Sequence, residues 1–306
     1  MGWRAAVALA LLLPLLAACE DSSTPLVFGR RGAAEGEFDS PRGIAAAGGR
    51  VAVVDRSGRL QEFTAWGVFV RAIPVMPPNA RRGFPLGVLF DPAGGYLVVH
   101  THDAALVRYG IDGKELSRFG DNGVKDGELC MPQRAVPFGG NLLVSEFGYE
   151  ECKRIQEFTP GGKFVRRLPG VFQRPMGVAV DGAGVLWVAD ASGSLLRYEA
   201  ATGHLLGSAT TEGKGAGQAV WPTGVAALPG GGVVIAEAGN HRLQRFDAAG
   251  KSLGVFGRSG SLPGEFNTPY DLAVDPPWLF VADTENHRIQ RFRLDAISWE
   301  KPGEGR

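Results

Sequence analysis

Short apolar runs separated by glycine-bearing turns recur along the chain, and none holds the three-to-four-residue periodicity of a helix. A proline followed by a brief apolar segment opens each recurrence: PRGIAAA at Pro41, PLGVLF at Pro85, PQRAVPF at Pro132, PMGVAV at Pro175, PTGVAA at Pro222 and PYDLAV at Pro269. Successive prolines lie 44, 47, 43, 47 and 47 residues apart. Repeats of that length build propellers or solenoids. Each unit continues through a Gly-containing turn into a second apolar strand, such as VLWVAD at Val185–Asp190. A polar turn and a third strand follow, and the third strand ends in Phe63, Tyr109, Phe158, Tyr198, Phe246 or Phe292. In five units a glycine (Gly67, Gly113, Gly162, Gly203, Gly250) then marks a hairpin into a fourth strand. The pattern predicts an all-β, six-bladed β-propeller of four-stranded antiparallel blades.

The sixth unit lacks a fourth strand, since the sequence ends soon after Phe292. VFGRRGAAEGEFDSP from Val27 aligns without a gap on VFGRSGSLPGEFNTP from Val255. The segment around Leu26–Gly29 is therefore expected to supply the missing outer strand, closing the ring with the N-terminal strand and leaving no frayed end.

Before this repeat lies a targeting segment. Arg4 precedes an apolar run from Ala5 to Ala18, too short to span a bilayer comfortably. It ends in LAAC at Leu16–Cys19, which resembles the bacterial lipoprotein signal box. That resemblance implies cleavage before Cys19 and lipidation of its thiol; an ordinary signal peptide is the alternative. Glu20 after the cysteine leans toward the outer membrane, on its periplasmic or cell-surface side. The expected organisation is a signal peptide over 1–18, a tether over 19–25, the propeller over 26–295 and a C-terminal tail over 296–306. Formal net charge is zero, from 32 basic and 32 acidic residues, so no long-range field draws in nucleic acid.

NHRLQRF at Asn240–Phe246, NHRIQRF at Asn286–Phe292, the P-x-G opening strands and the VADTEN turn together resemble the NHL repeat family of six-bladed propellers. His241 and His287 then belong to a copied turn between second and third strands, and a structural role suffices for them. Asp55, Glu146, Asp190, Glu237 and Asp283 end the second strand in five units. Calcium is one reading of such a column; capping of the turn that each residue opens is the other, and it fits their separation around the ring. Among third-strand charges, Glu62 is expected to meet Arg108 or Arg291, and Glu157 to meet Arg108 or Arg197, across neighbouring blades.

An exported protein matures under oxidising conditions, so Cys130 and Cys152, 22 residues apart, are read as a disulfide. Both fall on loops of one face, and closing that loop contributes roughly 3 kcal/mol on a chain-entropy estimate. Two unpaired buried thiols are the alternative. The residues after the opening prolines, including Gln133 and Tyr270, offer no three-ligand metal set, and Asp271 is the lone carboxylate there. No cofactor is expected. The loop face gathers Arg42, Arg81, Arg82, Gln133, Arg134, Tyr149, Tyr270 and Asp271, types suited to a protein or peptide partner or a small ligand. The expected function is a monomeric, non-catalytic binding scaffold or sensor of the cell envelope. The alternative is a metal-dependent propeller enzyme, similar to a peptidyl-hydroxyglycine amidating lyase or a lactonase.

Overall fold

Alternating apolar strands and tight turns leave this chain one way to bury its surfaces: small sheets stacked side by side. The structure, a computed structural model, describes residues 24–76 and 83–303. It contains six four-stranded antiparallel sheets, blades I to VI, around a central axis. Blade I runs through Pro41–Ala47, Arg50–Asp55, Arg59–Thr64 and Phe69–Pro74, from the axis outward. The innermost strands of blades II to VI are Gly87–Phe90, Pro132–Phe138, Pro175–Val180, Pro222–Ala227 and Pro269–Asp275. Blade VI is completed by Leu26–Phe28, in which Leu26 faces Arg291, Val27 faces Gln290 and Phe28 faces Ile289. The sheet thus joins both ends of the repeat, as the copied VFGR segment predicts.

Hydrophobic burial is divided among six seams between adjacent blades. The seam joining blades VI and I, for example, packs Phe280 and Ile289 against Val51, Val53 and Phe63. All six aromatic residues ending the third strands are buried. In five blades a register shift, a bulge-like irregularity, immediately precedes that aromatic. Each buried ring contributes roughly 1.5–3 kcal/mol.

Close approach of the inner strands explains the P-x-G opening. A Cβ on Gly43 would lie 2.5 Å from the Leu86 carbonyl oxygen of the next blade, and one on Gly224 would lie 2.8 Å from Asp271 Cα. Glycine occupies this position in blades I, II, IV and V, whereas blades III and VI carry Arg134 and Asp271.

The third-strand charges pair differently from the cross-blade expectation. Glu62 bonds Arg50 and, at 3.0 Å, Arg71, while Glu157 bonds Arg166 at 2.7 Å. Arg71 and Arg166 sit directly opposite their carboxylates on the neighbouring strand of the same sheet. Cross-strand pairing thus supplies the charged partner, while the next blade's contact with Glu62 is neutral, the buried Tyr96 hydroxyl donating to its carboxylate. Arginines also bridge blades through backbone: Arg166 reaches the Ala200 and Ala201 carbonyls, and Arg291 the Ala65 carbonyl.

Beyond Arg293 the chain folds back along blade V. Ile297 is buried, and Glu300 and Val255 exchange backbone hydrogen bonds of 2.8 and 3.0 Å.

Candidate functional site

The loop face carries the starts of the innermost strands, the turns between second and third strands, and the inter-blade loops. Its framework is the NHR-x-Q phrase. In blade VI, Asp283 accepts hydrogen bonds from Asn286 at 2.9 Å, Arg288 at 2.7 Å, Gln290 at 3.0 Å and the Asn267 N–H at 2.7 Å. Arg288 also donates to the carbonyls of Ser261, Leu262 and Glu265, so one guanidinium holds the whole preceding loop. Blade V repeats the set with Glu237, Asn240, Arg242 and Gln244. Burial pushes the Glu237 carboxyl above the ordinary range, and Arg242 and Asn240 pull it back. The acidic column therefore caps loops, each member consumed by its own blade. Among the described residues, no three His, Cys, Asp or Glu side chains gather as metal ligands.

The two signature histidines are clasps. His241 Nδ1 accepts the Thr268 N–H at 3.0 Å, and His287 Nδ1 accepts the Ser40 N–H at 3.0 Å. Each ties its blade to the opening of the next, and the second does so across the ring closure. Both adopt left-handed backbone, φ 52° and 53°. The remaining histidines are dispersed. His204 lies exposed on the rim, and His102 lies beside Phe84 in a tilted contact with ring centres 5.7 Å apart. His100 takes the acidic-column position of blade II, where it is buried against the Tyr109 hydroxyl at 3.1 Å. Burial lowers its pKa to about 4.

At the axis, inner strands of all six blades enclose a channel of about 270 Å³ lined by residues such as Ile44, Val88, Ala135, Val178, Val225 and Leu272. Arg134 and Asp271 close its mouth. Arg134 Nε donates to Asp271 Oδ2 at 3.2 Å, and its other nitrogens donate to the Gln133 and Arg42 carbonyls at 2.9 and 2.7 Å. Asp271 also accepts the Ile44 N–H at 3.0 Å. Blades III and VI stand opposite one another, so the pair spans the channel at the two positions where glycine is absent. Burial pushes the Asp271 carboxyl upward, opposed by Arg134 and the Ile44 N–H.

Five of the sequence-singled residues thus come together: Arg42, Gln133, Arg134, Tyr270 and Asp271. Arg42 lies 4.4 Å from the Tyr270 ring centre, and Gln133 is buried beside Arg134. Tyr149 stands apart, 73% exposed on the short 3₁₀ turn Glu150–Cys152. A Cys130–Cys152 disulfide, Cα atoms 5.7 Å apart, joins that turn to the loop entering blade III. Cys19, Arg81 and Arg82 lie outside the described residues.

The sequence reading missed Arg56, Phe84, Phe147 and Arg174, which border the same mouth. Arg56 stacks on Phe84 at 5.4 Å and Arg174 on Phe147 at 5.7 Å. A signal was present in the repeat register. Phe84 and Arg174 immediately precede opening prolines, and Arg56 and Phe147 immediately follow the acidic column.

Known proteins resemble this chain in part. The NHL repeat family matches residues 220–246, which cover the Asn240–Phe246 phrase. Peptidyl-glycine alpha-amidating monooxygenase of Mus musculus is 33% identical over 178 residues, 51% of this chain and 18% of that protein. Protein brain tumor of Drosophila melanogaster is 28% identical over 109 residues, 35% of this chain and 10% of that protein. The chain thus spans under a fifth of the length of these relatives. A structure titled streptogramin B lyase superposes with a TM-score of 0.62 at 12% identity, covering 92% of this chain and all of that one, a likeness of fold. The chain is a six-bladed β-propeller in which one segment, residues 220–246, matches the NHL repeat.

Proposed function

We propose that this propeller is a non-catalytic binding scaffold or sensor of the bacterial cell envelope, tethered through a lipidated Cys19 and receiving its partner on the loop face. The observation that carries the reading is the buried ion pair at the channel mouth. Arg134 and Asp271 span the axial opening, where propellers commonly hold a small ligand, with their polar atoms spent on each other and on backbone groups. A partner then meets a broad surface built on rigid blades, the usual setting for recognition by loops. The apolar run ending at Cys19 supports the envelope location, and the zero net charge disfavours nucleic acid. The tethered protein works as a monomer.

The test places a photo-crosslinking residue at Tyr149 or Arg174 on the loop face and, as control, at Leu206 on the exposed rim, in the full chain expressed in its envelope. Specific adducts from the first two positions and none from the third are expected. Adducts distributed equally would overturn the reading. Replacing Cys19 with serine should release the protein from the membrane fraction.

The similarity to peptidyl-glycine alpha-amidating monooxygenases favours a second reading, a catalytic propeller acting on peptide ends. Incubation of the purified protein with a peptidyl-α-hydroxyglycine decides it: amide formation that tracks protein concentration selects the enzyme over the scaffold.

A further inference from the structure

Across the loop face runs a band of alternating guanidinium groups and aromatic rings that the blade architecture does not need. It begins at Arg56, stacked on Phe84, which also carries Arg42 at 5.6 Å. Arg42 in turn lies 4.4 Å from the Tyr270 ring centre. Tyr270 packs with Met176 and Ala191 beside Phe147, and Arg174 covers Phe147 at 5.7 Å. The band thus crosses the mouth from blade I to the entry of blade IV, with the Arg134–Asp271 floor beneath it.

These arginines differ from those of the framework. Arg154, Arg242 and Arg288 spend their donors on a carboxylate and several carbonyls. Arg56 and Arg174 are exposed, and among the described residues their guanidinium groups have neither a hydrogen bond nor an ion pair. Arg42 Nε is buried without a partner, and its nearest carboxylate, Glu285, lies at 4.0 Å. Stacking on a ring holds a guanidinium plane without using its donors. Forks held this way are pre-organised for carboxylates arriving from outside, which they match in bidentate geometry.

We infer that this band is the docking strip for an extended acidic peptide segment of a partner protein, its carboxylates taken by Arg56, Arg42 and Arg174 and its intervening side chains lying on Phe84 and Phe147. The inference deepens the scaffold reading and rests on it. Charge complementarity selects the occupant. Arg56 and Arg174 are open and Arg42 shares only a 4.0 Å ion pair with Glu285, in a protein of zero net charge with Asp271 close by. Separated carboxylates can meet the forks one at a time, whereas the continuous charge of a nucleic acid would face those acids and lack any long-range attraction.

The test is fluorescence anisotropy with the full mature protein and four probes: an alternating Glu-Ala peptide, its Gln-Ala and Lys-Ala counterparts, and oligouridine. Binding of Glu-Ala alone, weakened by salt, is expected. Arg56→Gln and Arg174→Gln should each weaken it about ten-fold, the effect of losing one charged hydrogen-bonded contact. Both side chains are exposed, so both variants should unfold at the wild-type urea concentration. Arg42→Lys, which keeps the charge and loses the planar fork, should also weaken binding. Equal affinity for Glu-Ala and Gln-Ala, unchanged binding by the Arg variants, or displacement of Glu-Ala by oligouridine would each overturn the inference. Loop-face crosslinks in the envelope without Glu-Ala binding would reject the acidic ligand and leave the scaffold standing. Absence of both would reject the scaffold as well.

Discussion

Replacing Asp271 with asparagine keeps the side chain's shape and removes its charge, leaving Arg134 stranded over an apolar channel. Both residues are nearly inaccessible, 6% and 7% exposed, and Arg134 is already committed to the Gln133 and Arg42 carbonyls, so it cannot turn out to water. Breaking a buried pair from one side costs about 3–5 kcal/mol, because the remaining charge stays desolvated. Arg134→Met should cost a comparable amount by stranding Asp271. In Asp271→Asn/Arg134→Met both charges are gone, and the loss should fall short of the sum by about 2–3 kcal/mol, a coupling typical of directly bonded groups. Urea unfolding followed by emission of the buried Trp187 reads these differences. With a slope near 3 kcal/mol per molar, Asp271→Asn alone should lower the midpoint by about 1–1.7 M. A loss under about 1 kcal/mol for Asp271→Asn, or strictly additive single losses, would show that the two side chains do not lock opposite blades together.

Further expectations concern the histidines and the glycines. His100 is neutral in the fold, with a pKa of about 4 against the ordinary 6.5, and Tyr109 and Asp103 face it. The unfolded chain therefore takes up its proton first, and stability falls as pH drops from about 6.5 toward 4. The loss from this group is about 3 kcal/mol in full, and His100→Phe should flatten that part of a pH-resolved unfolding series. His287→Ala should cost about 1 kcal/mol through the lost Ser40 bond and leave the metal content of purified protein unchanged by mass spectrometry. Gly43→Ala forces a Cβ against the Leu86 carbonyl and should destabilise by about 1–3 kcal/mol. Gly182→Ala, with nothing within 4 Å, is the matched control and should be neutral or slightly stabilising in the same melt.

The opening strands, the aromatic column and the Val27 copy of Val255 made the blades and their closure legible, because each is a local pattern repeated in register. The same register assigned His241 and His287 to a turn. Placing Phe84, Phe147 and Arg174 on the binding face required one further step: reading the residues before each proline and after each acid as columns of their own. Glu62 and Glu157 went the other way. Their charges suggested charged partners on neighbouring blades, yet strand pairing within one sheet supplied Arg71 and Arg166, and the neighbouring blade offers Glu62 only the neutral Tyr96 hydroxyl.

Taken alone, the sequence determined how many blades there are, where each begins, and which two segments share the last sheet. Strand alternation, turn chemistry and repeat spacing act over a few residues, and a copied unit repeats their outcome. Only the tertiary structure decided that Arg134 and Asp271, 137 residues apart, meet across the axis and that three arginines share rings at its mouth. Those contacts depend on blade tilt and on the diameter of the ring, which six packed seams set together and no single segment encodes.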